Sequence, residues 1–300
     1  MTLKFRNLVF IALASGFIIS CGEPAHKEES ETPSKQEEKK ADPNKTAIFQ
    51  IGDEKFAIPS PVQTAALIQK TGAPYNKEIL NDPKAFSRYS TKFQKAVNLG
   101  VYGADLGYIT MYEQTQDGIM YIKEDEKIGE ELGVTSAFSP ELIKRFEANL
   151  GNRDSLLVLV SEAYKASDAF LKDNEREDVG GLIIAGGWLE SLYFAASVYE
   201  STKNEEIKRR IGEQKTTLES IIKLLQRYSS NPDIEEFVSE LTDLYYLYEN
   251  VEITYEYVEP THQPDKHLTI INSKSNVSVD DETLVEIIEK VKEIRNYLIE

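Results

Sequence analysis

From Ser60 onward, apolar residues recur at spacings of three and four along most of the chain, the period of a helix with one buried face. Ile234, Phe237, Val238, Leu241, Leu244, Tyr245 and Tyr248 share one stripe behind Asn231-Pro232, a cap followed by a first-turn proline. Ser60-Pro61 opens another helix in the same way, and Gly72 closes it. Ile207, Ile211, Leu218, Ile221, Ile222 and Leu225 make a third stripe, and Leu284, Ile287, Ile288, Val291, Ile294 and Leu298 a fourth. Leu156, Leu159, Val160, Ala163, Tyr164, Ser167 and Leu171 mark a helix behind Asn152. The pattern predicts an all-α chain, a multi-helix bundle or array with short connections.

Two stretches depart from it. Val251, Ile253, Tyr255 and Tyr257 alternate with Glu252, Thr254, Glu256 and Val258, the period of a strand. Residues 260–266 then form a turn and 267–273 the return strand, giving a small β-hairpin attachment near 251–273. A helix that runs on past Asn250 is the alternative. Residues 48–58, with Gly52-Asp53 in the middle, read as a second short hairpin. Gly103-x-x-Leu106 and Gly186-x-x-Leu189 are alike, but two patches do not make a solenoid.

Two glycine-rich helices stand out. The first spans about 86–124 with a break near Gly118, and carries a small-residue stripe of Ala96, Gly100, Gly103 and Gly107. The second spans about 178–201, holds Gly180-Gly181 and Gly186-Gly187, and is apolar on nearly every side, as a surrounded helix is. Each helical glycine costs ~1 kcal/mol relative to alanine. Several together therefore imply a gain elsewhere: close backbone packing, or a ligand that approaches the backbone.

Opposite the small-residue stripe, Tyr102, Asp105, Tyr108 and Tyr112 align at helical spacing, with Asn98 one turn earlier. The second helix offers Glu190 and Tyr193 beside Trp188. A carboxylate inside an apolar helix must be solvated, paired or protonated. One reading has Asp105 and Glu190 accept hydrogen bonds from tyrosine hydroxyls or from an arginine such as Arg153. The other makes Tyr102, Asp105, Tyr108, Tyr112, Trp188, Glu190 and Tyr193 a tyrosine-walled pocket with two acids at its floor, suited to a sugar or a cation.

Catalytic constellations are sparse. His26, His262 and His267 fall in the linker or the hairpin loop, so no His-Glu-x-x-His zinc motif or ferritin-like di-iron ligand set is formed. There is no Gly-x-Ser-x-Gly and no Walker-type phosphate loop. Gly186-Gly187-Trp188-Leu189-Glu190 resembles the Gly-x-His-x-x-Glu motif of imelysin-like helical lipoproteins, without its histidine. No catalytic residue, metal ligand or bound cofactor is expected, and the chain reads as non-enzymatic.

The N-terminus sets the address. Lys4 and Arg6 precede an apolar run over residues 8–19 that is shorter than the ~20 residues a bilayer span needs, which is the form of an export signal. Ile18-Ile19-Ser20-Cys21 resembles the lipobox of bacterial lipoproteins, and Cys21 is the one cysteine in the chain. The resemblance implies removal of residues 1–20 and a covalent diacylglycerol and acyl (palmitate) anchor on Cys21. An ordinary cleavable signal is the alternative. Residues 22–46 hold no aromatic residue and read as a polar tether of about 25 residues, reaching roughly 25–30 Å. Lys27-Glu28-Glu29 resembles a surface-export signal of outer-membrane lipoproteins; a solvated spacer is the bland alternative. Residues 47–300 are then a single helical domain.

Charge narrows the partners. The chain has 34 Lys plus Arg against 51 Asp plus Glu, and its formal charge of −17 becomes −19 once Lys4 and Arg6 are removed. Such a chain has no general affinity for nucleic acid or anionic lipid.

The mature chain resembles a group of uncharacterised helical bacterial outer-membrane lipoproteins. The likeness rests on the lipobox, on Ile58-Pro59-Ser60-Pro61, on Tyr102-Gly103-Ala104-Asp105-Leu106-Gly107-Tyr108 and on Ala185-Gly186-Gly187-Trp188. It implies a helical fold, outer-membrane localisation and a membrane contact through the lipid, and brings no catalytic residues. The expected function is a lipid-anchored binding or interaction module, with a small polar ligand or an envelope protein as partner. Alternatives are an accessory glycan- or cation-binding protein for nutrient uptake, an envelope structural or assembly factor and, third, an enzyme of unknown class. A ligand binder requires an open pocket at Asp105, Glu190 and the tyrosines. A scaffold requires those groups buried and an apolar patch outside.

Overall fold

A computed structural model describes residues 47–51, 54–134, 139–149, 152–264 and 268–300, with backbone alone over 47–57 and at 160–161, 163–168 and 170. The expected leader, the acylated Cys21 and the tether lie outside these residues. The described chain is all-α with a small β attachment. It runs β1 (Ala47–Ile51), β2 (Glu54–Ile58), α1 (Pro61–Lys70), α2 (Lys92–Met111), α3 (Thr115–Glu131), α4 (Pro140–Ala148), α5 (Arg153–Asp173) and α6 (Glu177–Thr202). It continues α7 (Glu205–Gly212), α8 (Gln214–Gln226), α9 (Pro232–Tyr248), β3 (Glu252–Glu256), β4 (Thr261–Gln263), β5 (Leu268–Ile270), β6 (Lys274–Ser278) and α10 (Asp281–Ile299).

Local signals place the helix ends. Proline follows the cap at Ser60, Ser139 and Asn231, where its missing N–H is no loss. Thr91 and Gln94 form a reciprocal capping box at the start of α2. Gly72 and Gly133 take left-handed backbone (φ 82° and 70°) just past α1 and α3.

α6 is the central helix. It packs against α1, α2, α5, α7, α8 and α10. By length and composition it is able to cross a membrane, but 83% of its apolar window is buried inside this protein, which marks a core helix. Its closest neighbour is α2. A Cβ on Gly100 would lie 2.0 Å from the Ile183 carbonyl oxygen, and one on Gly186 would lie 2.1 Å from that of Val97. The two backbones touch, and only glycine permits it.

Two boundaries differ from the sequence expectation. The first glycine-rich helix is broken not at Gly118, which lies inside α3, but over residues 112–114. There Glu113 adopts φ 56°, and the Gln114 N–H donates to the Ile109 carbonyl, closing α2 in the way a glycine usually does. The return strand of the C-terminal hairpin is β6 rather than 267–273. β3 pairs with β6 in the register Ile253↔Val277, while β4 and β5 form a separate antiparallel pair further out. That register sets Val251 and Val277 against α7, where an added Gly212 Cβ would lie 3.5 and 2.5 Å from their methyl groups.

Candidate functional site

Irregular backbone inside a protein must find partners for every N–H and C=O. Residues 73–82, between α1 and the 3-10 turn Pro83–Arg88, pose this problem, and the expected site residues solve it. Tyr112 donates to the Ala73 carbonyl at 2.7 Å and Tyr102 to that of Asp82 at 2.7 Å. The Asn76 N–H donates to the Tyr108 hydroxyl at 3.2 Å, and Tyr121 donates to the Asn81 carbonyl at 2.6 Å. The Asn81 N–H donates to Asp105 Oδ2 at 3.3 Å. Four tyrosines and one acid, from α2, its C-cap and α3, hold one loop.

The second acid is held by an arginine. Arg295 Nε and Nη2 donate to Glu190 Oε2 and Oε1 at 3.0 and 2.9 Å, and Nη2 also reaches the Ile79 carbonyl at 3.3 Å. The Tyr193 ring covers the guanidinium at 4.4 Å. Sequence reasoning had offered Arg153, which instead contacts Gln69 and Asp154. Asn81 Nδ2 donates to the Tyr89 hydroxyl at 2.9 Å and to Asn98 Oδ1 at 3.3 Å, and Asn98 Nδ2 donates to the Leu298 carbonyl at 2.8 Å. Loop, α2, α6 and α10 thus share one polar network.

Its protonation follows from burial. Asp105, Asp125 and Glu190 are all fully enclosed, with relative exposures of 0%, 1% and 0%. Desolvation, reinforced by the charge of Glu190, pushes the Asp105 carboxyl well above its ordinary range, against the pull of Arg295. Desolvation also raises Glu190, but there the contact with Arg295 opposes it directly. Burial thus favours the protonated form of Asp105, while Arg295 favours the ionised form of Glu190. Burial, with the charge of Glu124 adding to it, likewise raises the Asp125 carboxyl well above its ordinary range. The same desolvation raises Tyr102 and Tyr121, so both phenols remain donors.

The tyrosine-walled pocket is closed. Tyr102, Asp105, Tyr108, Trp188 and Glu190 are buried, and Tyr112 and Tyr193 are half-buried. Trp188 donates to Gln214 Oε1 at 3.0 Å and lines a shallow hollow with Pro59, Arg210 and Gln214, but neither acid lines it. The structure does unite Asp105 and Glu190, which sequence reasoning paired. The sequence pattern did not single out Arg295, Asn81, Tyr121 or Asp125. Arg295 lies four residues after Val291 and three before Leu298, a lone cation in an apolar stripe, and Asp125 holds the same kind of place in α3. Among the described residues, no group of three or more His, Cys, Asp or Glu is placed to hold a metal ion. No family model, curated protein or solved structure matches the chain.

Proposed function

We propose that the chain is an envelope lipoprotein, anchored to the bacterial outer membrane through an acylated Cys21, that works as a non-enzymatic interaction module. The observation that carries this reading is where the unusual side chains are used. Asp105 Oδ2 and the hydroxyls of Tyr102, Tyr108 and Tyr112 hold residues 73–82, Glu190 is tied to the same loop through Arg295, and all of these but the half-buried Tyr112 are buried. The surface chemistry lies elsewhere, on the C-terminal hairpins, where Ile253, Tyr255, Tyr257, Leu268, Ile270 and Ile271 are all exposed. A closed body with an apolar projection suits docking or assembly better than glycan or cation capture for nutrient uptake, which draws on an open pocket.

Two measurements test the reading. Labelled palmitate should enter the wild-type chain and not a Cys21→Ser variant; an unlabelled wild-type protein removes the anchor. A panel of oligosaccharides and divalent cations should leave the melting temperature unchanged. A saturable shift that disappears in Asp105→Asn would overturn the closed-body reading.

A further inference from the structure

The apolar ribbon is rooted close to the first described residues of the chain. Ala47, the first described residue, pairs with Ile58 across β1–β2. The next residue, Pro59, lines the same hollow as Arg210 and Gln214, and β2 packs on α8. Gly212 lies two residues from each in the chain, on the other face of the helix, and there Val251 and Val277 seat the root of the C-terminal hairpin. Chain entry and hairpin root therefore sit together at the α7–α8 junction.

Across the β3–β6 pair the ribbon is one-sided. Alternation puts Val251, Ile253, Tyr255 and Tyr257 on one face, and their exposure climbs outward from the root: 1%, 41%, 67% and 70%. The core-facing surface thus continues past the edge of the body and overhangs it. The other face of β3 and β6 carries Glu252, Thr254, Glu256, Lys274 and Asn276. Further out, Leu268 and Ile270 share a face of β5, and Ile271 is 77% exposed. Tyrosine with aliphatic neighbours is the composition found at a membrane–water boundary, where the ring is buried and the hydroxyl stays wet.

We propose that this ribbon docks on the lipid surface that holds the anchor, laying Ile253, Tyr255 and Tyr257 into the interfacial zone of the bilayer. The inference rests on the Cys21 anchor proposed above. If residues 22–46 are the polar tether that their composition suggests, about 25 residues with a reach of roughly 25–30 Å, they hold the hairpin root near the membrane at high effective concentration, so a modest apolar contact is enough to dock it. The occupant is neutral lipid. The processed chain, whose formal charge is −19 after loss of Lys4 and Arg6 from the −17 of the whole, with Glu252 and Glu256 beside the contact, is repelled by an anionic surface.

The test uses the full chain, processed and acylated by the cell that makes it, reconstituted in phosphatidylcholine vesicles. Tyr257→Trp places a reporter on the ribbon, and Tyr297→Trp places a control near the far end of α10, about 24 Å along the helix from its start. The native Trp188 is buried and gives a constant background. Emission from Tyr257→Trp should shift to the blue and be lost in brominated phosphatidylcholine, and the shift should weaken as anionic lipid is added. Tyr297→Trp should show neither effect. Water-like, unquenched emission from Tyr257→Trp in protein that carries the palmitate label overturns the docking and leaves the anchor standing. A missing label with quenching retained removes the anchor and leaves the docking. A blue shift without vesicles that grows with protein concentration overturns the proposal, because a second copy then covers the face.

Discussion

Arg295 and Glu190, 105 residues apart in the chain, meet in a two-toothed ion pair of 2.9 and 3.0 Å inside the protein. Their side chains are 7% and 0% exposed, so neither charge is solvated enough to stand alone. The pair ties α10 to α6, and its third bond, to the Ile79 carbonyl, ties both to the loop. Removing one partner leaves the other charge buried and uncompensated, a loss of about 3–5 kcal/mol. Arg295→Met is expected to lose stability on that scale in urea unfolding. Arg295→Met combined with Glu190→Gln should recover part of it, because no lone charge remains. A single variant within about 1 kcal/mol of wild type would sink this account.

Asp105 makes stability depend on pH. Its unfolded carboxyl ionises near ~3.9, while burial and the charge of Glu190 hold the folded one well above that. Below the unfolded value both states keep the proton, and the contribution to stability is complete. As pH rises through about 4, the unfolded chain releases its proton first, and stability falls by up to about 1.4 kcal/mol per pH unit until the folded pKa is reached. Asp105→Asn imitates the protonated acid and has no proton to lose. It should be more stable than wild type at neutral pH, with a flatter decline between about pH 5 and 7. Melting curves across that range measure it; a slope equal to wild type means that Asp105 is ionised in the fold.

The helical architecture was legible because its signal is local. The stripe from Ile234 to Tyr248 and the one from Leu284 to Leu298 match α9 and α10 closely, each opened by its cap. The hairpin register was not, since the choice of β6 over 267–273 depends on Val277 meeting Gly212, a contact across 65 residues. The end of α2 was hidden for another reason: Glu113 holds left-handed backbone with no glycine to announce it. At the candidate site, helical spacing aligned Tyr102, Asp105 and Tyr108. What they face is a loop with no period of its own. Periodicity finds a face but not its occupant, so an internal loop and an external ligand look alike from sequence.

The glycines of α2 and α6 separate a packing role from a conformational one. Intrinsic propensity favours alanine over glycine inside a helix by ~1 kcal/mol. At Gly180 an added Cβ meets only Leu171 Cδ1 at 3.6 Å, an ordinary contact. Gly180→Ala is therefore expected to gain up to about 1 kcal/mol and to raise the melting temperature by about 2–4 °C. At Gly100 the added atom would fall 2.0 Å from the Ile183 carbonyl oxygen and 2.7 Å from the Gly187 nitrogen, both main-chain atoms that no rotamer change relieves. Gly100→Ala must force α2 away from α6, the longest helix contact in the core. Overpacking typically costs about 1–3 kcal/mol, and backbone obstruction places this case at the upper end or beyond, outweighing the propensity gain. The two variants should move the melting temperature in opposite directions. If Gly100→Ala is neutral or stabilising, the close approach of the two backbones is not what its glycine is for.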